Sequence, residues 1–301
     1  MEINKLVNMF DVLRTRKKKT LVAVFANDDH TIEAVNKAVD FELIDGVLVG
    51  DENIILKIMK KEGINPSKFR IVHEQNETNA AAKAVQLINK GEGDLIMKGL
   101  VSSDKYMRAI LDKENGLMDP GAILTHVSVL EPKNYHKLLI IGDVAIIPLP
   151  ELKEKIAILK YLIHTAQSLG IANPKVAILA ATEQILPKMP ACVDAAILTG
   201  MAGRGQIKGA VVEGPLAFDV IVDKESAKIK KIKSEVAGDA DCILFPNIES
   251  GNVFYKCYTK LTGGDLGAVV VGARVPAVLS SRGDSIKTKL YSIALAALMA
   301  K

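Results

Sequence analysis

The chain has 301 residues, with 39 basic and 35 acidic side chains (net charge +4), 49% hydrophobic and 25% charged residues. That balance excludes a disordered chain, and the length favours two domains over one. Aromatics are 4% and Trp is absent, so the core must be aliphatic, which suits helix-covered sheets and argues against a stacking platform for single-stranded nucleic acid.

In chain order, Leu6, Met9, Phe10 and Leu13 recur at helical spacing, so 3–13 reads as an amphipathic helix. The basic run Arg14-Thr-Arg-Lys-Lys-Lys19 that follows reads as a solvated helix end rather than a nucleic-acid or membrane patch. Strands at 20–25, 46–50, 69–72 and 94–97 then alternate with helices at 30–39, 52–62 and 79–90. Strands without polar alternation, separated by helices of this length, signal right-handed crossovers and a parallel sheet buried on both faces. The pattern changes at 122–130 and 137–149, two apolar runs around Glu131-Pro-Lys-Asn-Tyr-His136 that read as an antiparallel pair. Pro148 and Pro150 mark a boundary before a helix at 151–169. Alternation resumes with strands at 176–180, 209–213, 241–245 and 268–271, and a helix at 286–299 closes the chain with Ser285 or Asp284 as its N-cap. The expectation is two α/β halves with a cleft between them.

Cys192, Cys242 and Cys257 have neither CxxC nor zinc spacing and read as reduced thiols. No signal sequence and no apolar run of membrane-spanning length is visible, so a soluble, cytoplasmic protein is expected. There is no GxxxxGK[ST] phosphate loop, and Gly200-Met-Ala-Gly203-Arg-Gly205 has the wrong spacing for GxGxxG.

The last quarter carries the densest site signals. Ser234-Glu-Val-Ala-Gly-Asp-Ala-Asp241, Pro246-Asn-Ile-Glu-Ser-Gly-Asn252 and Ser281-Arg-Gly-Asp-Ser285 place small, charged and glycine residues where apolar strands end. Such places in α/β proteins bind anions. Ser281, Arg282 and Gly283 precede a helix, so one turn offers main-chain N–H groups, a hydroxyl and a planar guanidinium suited to phosphate. The alternative is an N-capped helix with Arg282 in solvent. Lys98 and Gly99 end another strand, where Lys98 is either a point charge for phosphate or a solvated side chain. Glu249, Gly251 and Asn252 open a helix and read either as a binding loop or as an ordinary βα turn. His126, inside an apolar run, is either a satisfied core side chain or a base. Glu213-Gly-Pro-Leu-Ala-Phe-Asp219 joins a strand to a helix.

Taken together, these motifs resemble the phosphate acetyl/butyryl transferase family, its butyryl branch in particular. The resemblance rests on Met97-Lys-Gly-Leu-Val101, Thr125-His-Val-Ser128, Pro150-Glu-Leu-Lys-Glu-Lys155, Asn173-Pro-Lys-Val-Ala177, Arg204-Gly-Gln-Ile-Lys-Gly209, Glu213-Gly-Pro-Leu-Ala217, Ser234-Glu-Val-Ala-Gly238, Pro246-Asn-Ile-Glu-Ser-Gly-Asn-Val253 and Ser281-Arg282. It implies two α/β domains of the isocitrate/isopropylmalate dehydrogenase-like fold with a cleft active site. The first domain, 1–143 plus 274–301, is discontinuous because the family's C-terminal helix packs back onto it; the second is 144–273. It also implies a homodimer that transfers a short-chain acyl group, butyryl foremost, reversibly between coenzyme A and inorganic phosphate by direct attack. Both reactants are substrates; no resident cofactor, metal, covalent acyl-enzyme, nucleic acid or membrane is implied.

By the same resemblance, Ser281 stabilises the transition state and Arg282 holds the phosphoryl group. Lys98, Gly99, Asp143, Gly283 and the Glu249–Asn252 loop line the site. The acetyl branch carries an aspartate six residues beyond the arginine as base for the thiol; here that position is Thr288, and His126 or Asp284 is the substitute. The family's usual Thr before Asp143 and Asn four residues after it are Gly142 and Ile147 here. Those two departures motivate the alternative, a non-catalytic paralogue that senses acyl phosphate or coenzyme A. A nicotinamide-dependent decarboxylating dehydrogenase on the same fold lacks the acidic metal cluster it would need.

Overall fold

The structure is a computed structural model that describes residues 2–279 and 283–301. Its first half contains α1 (Asn8–Arg14), β1 (Lys19–Val24), α2 (Asp29–Asp40), β2 (Ile44–Gly50), α3 (Glu52–Glu62), β3 (Phe69–His73), α4 (Glu77–Asn89), β4 (Leu95–Lys98), α5 (Ser103–Leu111), β5 (Thr125–Glu131) and β6 (Leu139–Gly142). There follow α6 (Leu152–Ser168), β7 (Lys175–Leu179), α7 (Pro190–Gly203), β8 (Val211–Leu216), α8 (Phe218–Val222), α9 (Lys224–Ile229), β9 (Cys242–Leu244), α10 (Ile248–Leu261), β10 (Asp265–Val271), β11 (Ala277–Val278) and α11 (Ile286–Met299). The chain divides into two compact units: a terminal unit of Val7–Leu124 with Gly267–Lys301, and a central unit of Thr125–Leu266 with the chain up to Leu6.

In the terminal unit the strand order is β3-β2-β1-β4-β11-β10. Neighbours are parallel except for β10 and β11. The strands are aliphatic runs: Leu21, Val22, Ala23 and Val24 of β1 are fully buried, as are Leu95 and Met97 of β4. The closing helix α11 is buried from Lys289 to Met299. It is apolar on all sides because it is enclosed on all sides, with Phe10 of α1 against its Tyr291 (ring centroids 5.7 Å apart).

In the central unit the order is β5-β6-β9-β7-β8. β5 and β6 are the expected antiparallel pair and the remaining pairings are parallel. Residues 125–143, expected in the first domain, lie here because β6 pairs with β9 and carries β5 with it. Residues 3–6, expected as helix, are not helical. The Ile3 N–H donates to Leu169 O (2.9 Å) and the Leu6 N–H to Glu131 Oε2 (2.8 Å), so α1 begins at Asn8. The helices α5 and α7 are absent from the sequence-based outline, as is the two-residue β11.

Near the starts of β6, β7 and β9, at Lys137, Lys175 and Asp239–Asp241, acidic and basic side chains tie the central unit together. Asp239 Oδ2 accepts from Lys175 Nζ (2.5 Å) and its Oδ1 pairs with His136 Nε2 (2.7 Å). Lys137 Nζ donates to Asp239 O (2.8 Å) and Asp241 Oδ1 (2.9 Å), while Asp241 Oδ2 accepts the Lys175 N–H (2.8 Å). Burial pushes the Asp239 carboxyl up, but the hydrogen bonds from Lys175, His136 and Lys137 outweigh it and hold the group well below the usual carboxylate range. No described helix is long and apolar enough to cross a membrane.

A depressed folded-state pKa stabilises the fold above the unfolded carboxylate pKa of about 4, and that stabilisation is lost as pH falls from there. Asp239→Asn is therefore expected to cost about 2 kcal/mol at pH 7. Chemical denaturation at pH 7 and pH 3 checks this: the gap between variant and parent must narrow at the lower pH.

Candidate active site

β6 and β9 run in parallel, and their C-terminal ends, Gly142 and Leu244, are register partners. Because β5 is antiparallel to β6, its first residues, Thr125 and His126, lie at the same end. Asp143 sits there, 2% exposed. Its Oδ1 accepts the main-chain N–H groups of Ala145 (2.6 Å) and Ile146 (2.9 Å). Its Oδ2 accepts from Thr125 Oγ1 (2.7 Å), the His126 N–H (3.3 Å) and the Ile147 N–H (3.2 Å). Five donors saturate a carboxylate with about four lone-pair sites. Its chemistry here is to fold the 143–147 loop onto the start of β5. Ile147 contributes through its main chain, so the loop closes without a polar side chain at that position. Gly142 is packed: a Cβ there would lie 3.1 Å from His126 O.

The loop is locked from its other side by α10. Asn247 caps this helix, its Oδ1 accepting the Ser250 N–H (3.0 Å) and the Ser250 hydroxyl (2.8 Å). Gly251 is buried, and a Cβ on it would lie 2.4 Å from the carbonyl oxygen of Asp143, so only glycine lets helix and loop meet. Asn252 Nδ2 donates to Val144 O (3.0 Å). Glu249 is exposed in the first turn, where its carboxylate complements the helix dipole. His126 is 6% exposed. Its Nδ1 lies 3.4 Å from Ser128 Oγ, and its ring meets that of Tyr255 edge-on at 6.2 Å between centroids. Of the residues singled out from sequence, the central unit thus gathers His126, Asp143, Gly251 and Asn252 around one loop. Thr125 and Ser128 join them. Three polar side chains in one apolar strand were the available signal for those two.

In the terminal unit, Lys98 ends β4 at 6% exposure, with Nζ donating to Gly99 O (3.2 Å). A Cβ on Gly99 would lie 2.6 Å from Val24 O, and the Gly99 N–H donates to that same oxygen (2.9 Å), so the chain after β4 presses directly on the end of β1. Gly283 and Asp284 lead into α11, whose N-cap is Ser285: its Oγ accepts the Thr288 N–H (3.0 Å) and lies 3.0 Å from Thr288 Oγ1. Thr288 therefore serves the cap. Ser281 and Arg282 lie outside the described residues. Among the described residues, no group of three or more His, Cys, Asp or Glu side chains is placed to hold a metal ion.

Asp143→Asn keeps the shape but replaces one acceptor oxygen with donor hydrogens facing donors. Amide exchange at Ala145, Ile146 and Ile147 is expected to accelerate about tenfold or more, with the amides of β7 unchanged. Residue-resolved hydrogen exchange measures this.

The chain matches known proteins along most of its length. A family described as phosphate acetyl/butaryl transferase matches residues 54–297. The phosphate butyryltransferase of Clostridium acetobutylicum is 46% identical over 288 residues, covering 96% of this chain and 95% of that protein. The phosphate acetyltransferase of Thermotoga maritima is 40% identical over 303 residues, covering 100% of both. Among solved structures, a branched-chain phosphotransacylase from Enterococcus faecalis superposes with a TM-score of 0.81 at 28% identity, covering 93% of this chain and 98% of that one. The aliphatic α/β architecture, the motifs at its strand ends and these full-length likenesses agree, and the chain belongs to the phosphate acetyl/butyryl transferase family.

Proposed function

We propose that the protein is a phosphate acyltransferase that moves a short-chain acyl group, butyryl foremost, reversibly between coenzyme A and inorganic phosphate. Family membership carries the reaction class, and the butyryl name of the 46%-identical relative favours a four-carbon acyl group over the acetyl group. The observation that supports a working site is the arrangement of His126, the 143–147 loop and the α10 N-terminus around one saturated carboxylate.

In the forward direction the coenzyme A sulfur attacks the carbonyl carbon of the acyl phosphate, the carbon–oxygen bond to phosphate breaks and phosphate departs. In reverse, a phosphate oxygen attacks the thioester and the thiolate departs. Two anionic reactants must be held in line, which supplies much of the rate by positioning. Charge must also be stabilised on the carbonyl oxygen and on the phosphate. The assignment gives Arg282 the phosphoryl group and Ser281 the transition state. Lys98, Gly99, Gly283 and the 249–252 turn contact substrate, and Asp143 shapes the loop. For the thiol proton, His126 and Asp284 were the two candidates from sequence. A thiol with a pKa near 8.5 needs little help beyond a positive field. The reading also carries a cytoplasmic homodimer with no resident metal or cofactor.

Gly142 and Ile147 motivated the sensor alternative. The Ile147 main chain makes its bond to Asp143 whatever the side chain, and this supports the catalytic reading over the sensor.

The test is coenzyme A release from acetyl-, butyryl- and isobutyryl-coenzyme A, with and without phosphate. Phosphate-dependent release favouring the four-carbon substrates is expected; binding without release from any of them overturns the reading. Arg282→Ala is expected to lower turnover by about 10²–10³-fold with an unchanged circular dichroism spectrum.

A further inference from the structure

Three lysines among the described residues are buried: Lys98 at 6%, Lys155 at 4% and Lys289 at 3% exposure. An ammonium taken out of water needs a counter-ion or acceptors. Lys155 Nζ donates to Asp194 Oδ2 (2.5 Å), and Lys98 Nζ donates to Gly99 O (3.2 Å). Among the described residues, Lys289 Nζ has neither a hydrogen-bond acceptor nor an ion-pair partner.

The acids on the helices packed against α11 are engaged elsewhere. Asp11 of α1 pairs with Arg14 (3.2 Å), and Glu33 and Asp40 of α2 pair with Lys37 (2.9 Å) and Lys68 (2.5 Å). Asp29 Oδ1 accepts the His30 N–H (2.9 Å), and Asp28, the cap of α2, gives Oδ1 to the Thr31 N–H (2.8 Å). Asp28 Oδ2 is the one fully buried polar side-chain atom without a partner among the described residues. The Lys289 ammonium, also without one, therefore keeps an opening to solvent.

Lys289 lies one turn into α11, its N–H donating to Ser285 O (3.0 Å). Helical side chains lean back toward the helix N-terminus, so the ammonium is directed to the first turn. That turn is the positive end of the helix dipole and contains no acid. A cation there is opposed by the dipole as well as by burial. The chain enters α11 from β11, whose Val278 is the register partner of Met97, so the helix starts at the end of the sheet where Lys98 lies.

We infer that Lys289 is a substrate-binding residue whose counter-ion is a phosphate group brought by a reactant. An anion at this turn offsets both effects, because it accepts from the ammonium and meets the positive end of the helix. Naming that anion a reactant's phosphate rests on the acyltransferase reading; the need for an anion does not. Two sources carry the group, inorganic phosphate (or the acyl phosphate) and coenzyme A.

The experiment is calorimetric titration of the full-length parent and of Lys289→Met, separately with inorganic phosphate and with coenzyme A. Methionine fills the space of the buried stem without the charge. Lys289→Met is expected to bind one of the two ligands at least about tenfold more weakly. The KM that rises in the same variant, for phosphate or for butyryl-coenzyme A, identifies the source. Because the variant loses an unpaired buried charge, its Tm without ligand is expected to equal or exceed that of the parent. Unchanged affinity for both ligands overturns the inference, and a lowered Tm alongside it marks a purely structural side chain. If Lys289→Met fails to fold, Lys289→Gln carries the same comparison. Ligand binding that depends on Lys289, in a parent that transfers no acyl group, removes the acyltransferase reading and leaves the Lys289 assignment standing.

Discussion

The buried carboxylate of Asp143 is the constraint on which this end of the central unit depends. Taking a carboxylate out of water is unfavourable unless its oxygens are met by hydrogens. Here they are met from three separate places: the Thr125 hydroxyl, the His126 main chain and three consecutive N–H groups of the following loop. Each donor is thereby fixed relative to the others. The start of β5, the path of 143–147 and the seating of α10 against the Asp143 carbonyl follow from one charge seeking partners. Gly251 is the steric counterpart, since any side chain there would occupy the space of that carbonyl.

This settles what the loop can contribute. Its N–H groups point inward to Asp143, so they are spent and cannot form a nest for phosphate. In the proposed function the phosphoryl group falls to Arg282 rather than to this loop. The two departures around Asp143 also make sense in these terms. The loop is held through main-chain atoms, so Ile147 keeps its bond while offering an apolar side chain. Gly142 lies close to His126 O with little room for a Cβ. Both positions leave the main-chain bonds of the loop to Asp143 in place.

Much of the fold was legible because its signals are local. Aliphatic runs such as 20–25 and 94–97 have no polar alternation and became buried parallel strands, and Glu131–His136 between two apolar runs became the turn of an antiparallel pair. Other parts were not legible, three of them for specific reasons. Ile3 and Leu6 fit helical spacing, but an extended segment whose N–H groups find Leu169 O and Glu131 buries them equally well. The helix α7 has apolar residues on every side, so no period stands out, and the glycines at 200 and 203 read as loop. The strand β11 is too short to show any period. At the site, His126 and Ser128 share a face by simple alternation, and that pair could be read in advance. The role of Asp143 could not, because four of its five donors are main-chain N–H groups, which have no sequence signature.

The central unit holds two acids, the half-buried Asp239 and the buried Asp143, in two different ways at the two ends of its strands. Where β7 and β9 begin, Asp239 accepts hydrogen bonds from Lys175, His136 and Lys137, and these, with the charge of Lys137, hold its carboxyl below the usual range against the effect of burial. Where β6 ends, Asp143 is held by neutral hydrogens alone. In the proposed function the end at Asp143 receives anionic substrates. A lysine beside Asp143 would pair with it, and the acid would cancel that positive charge. Neutral donors stabilise the acid without supplying a cation that the acid then cancels.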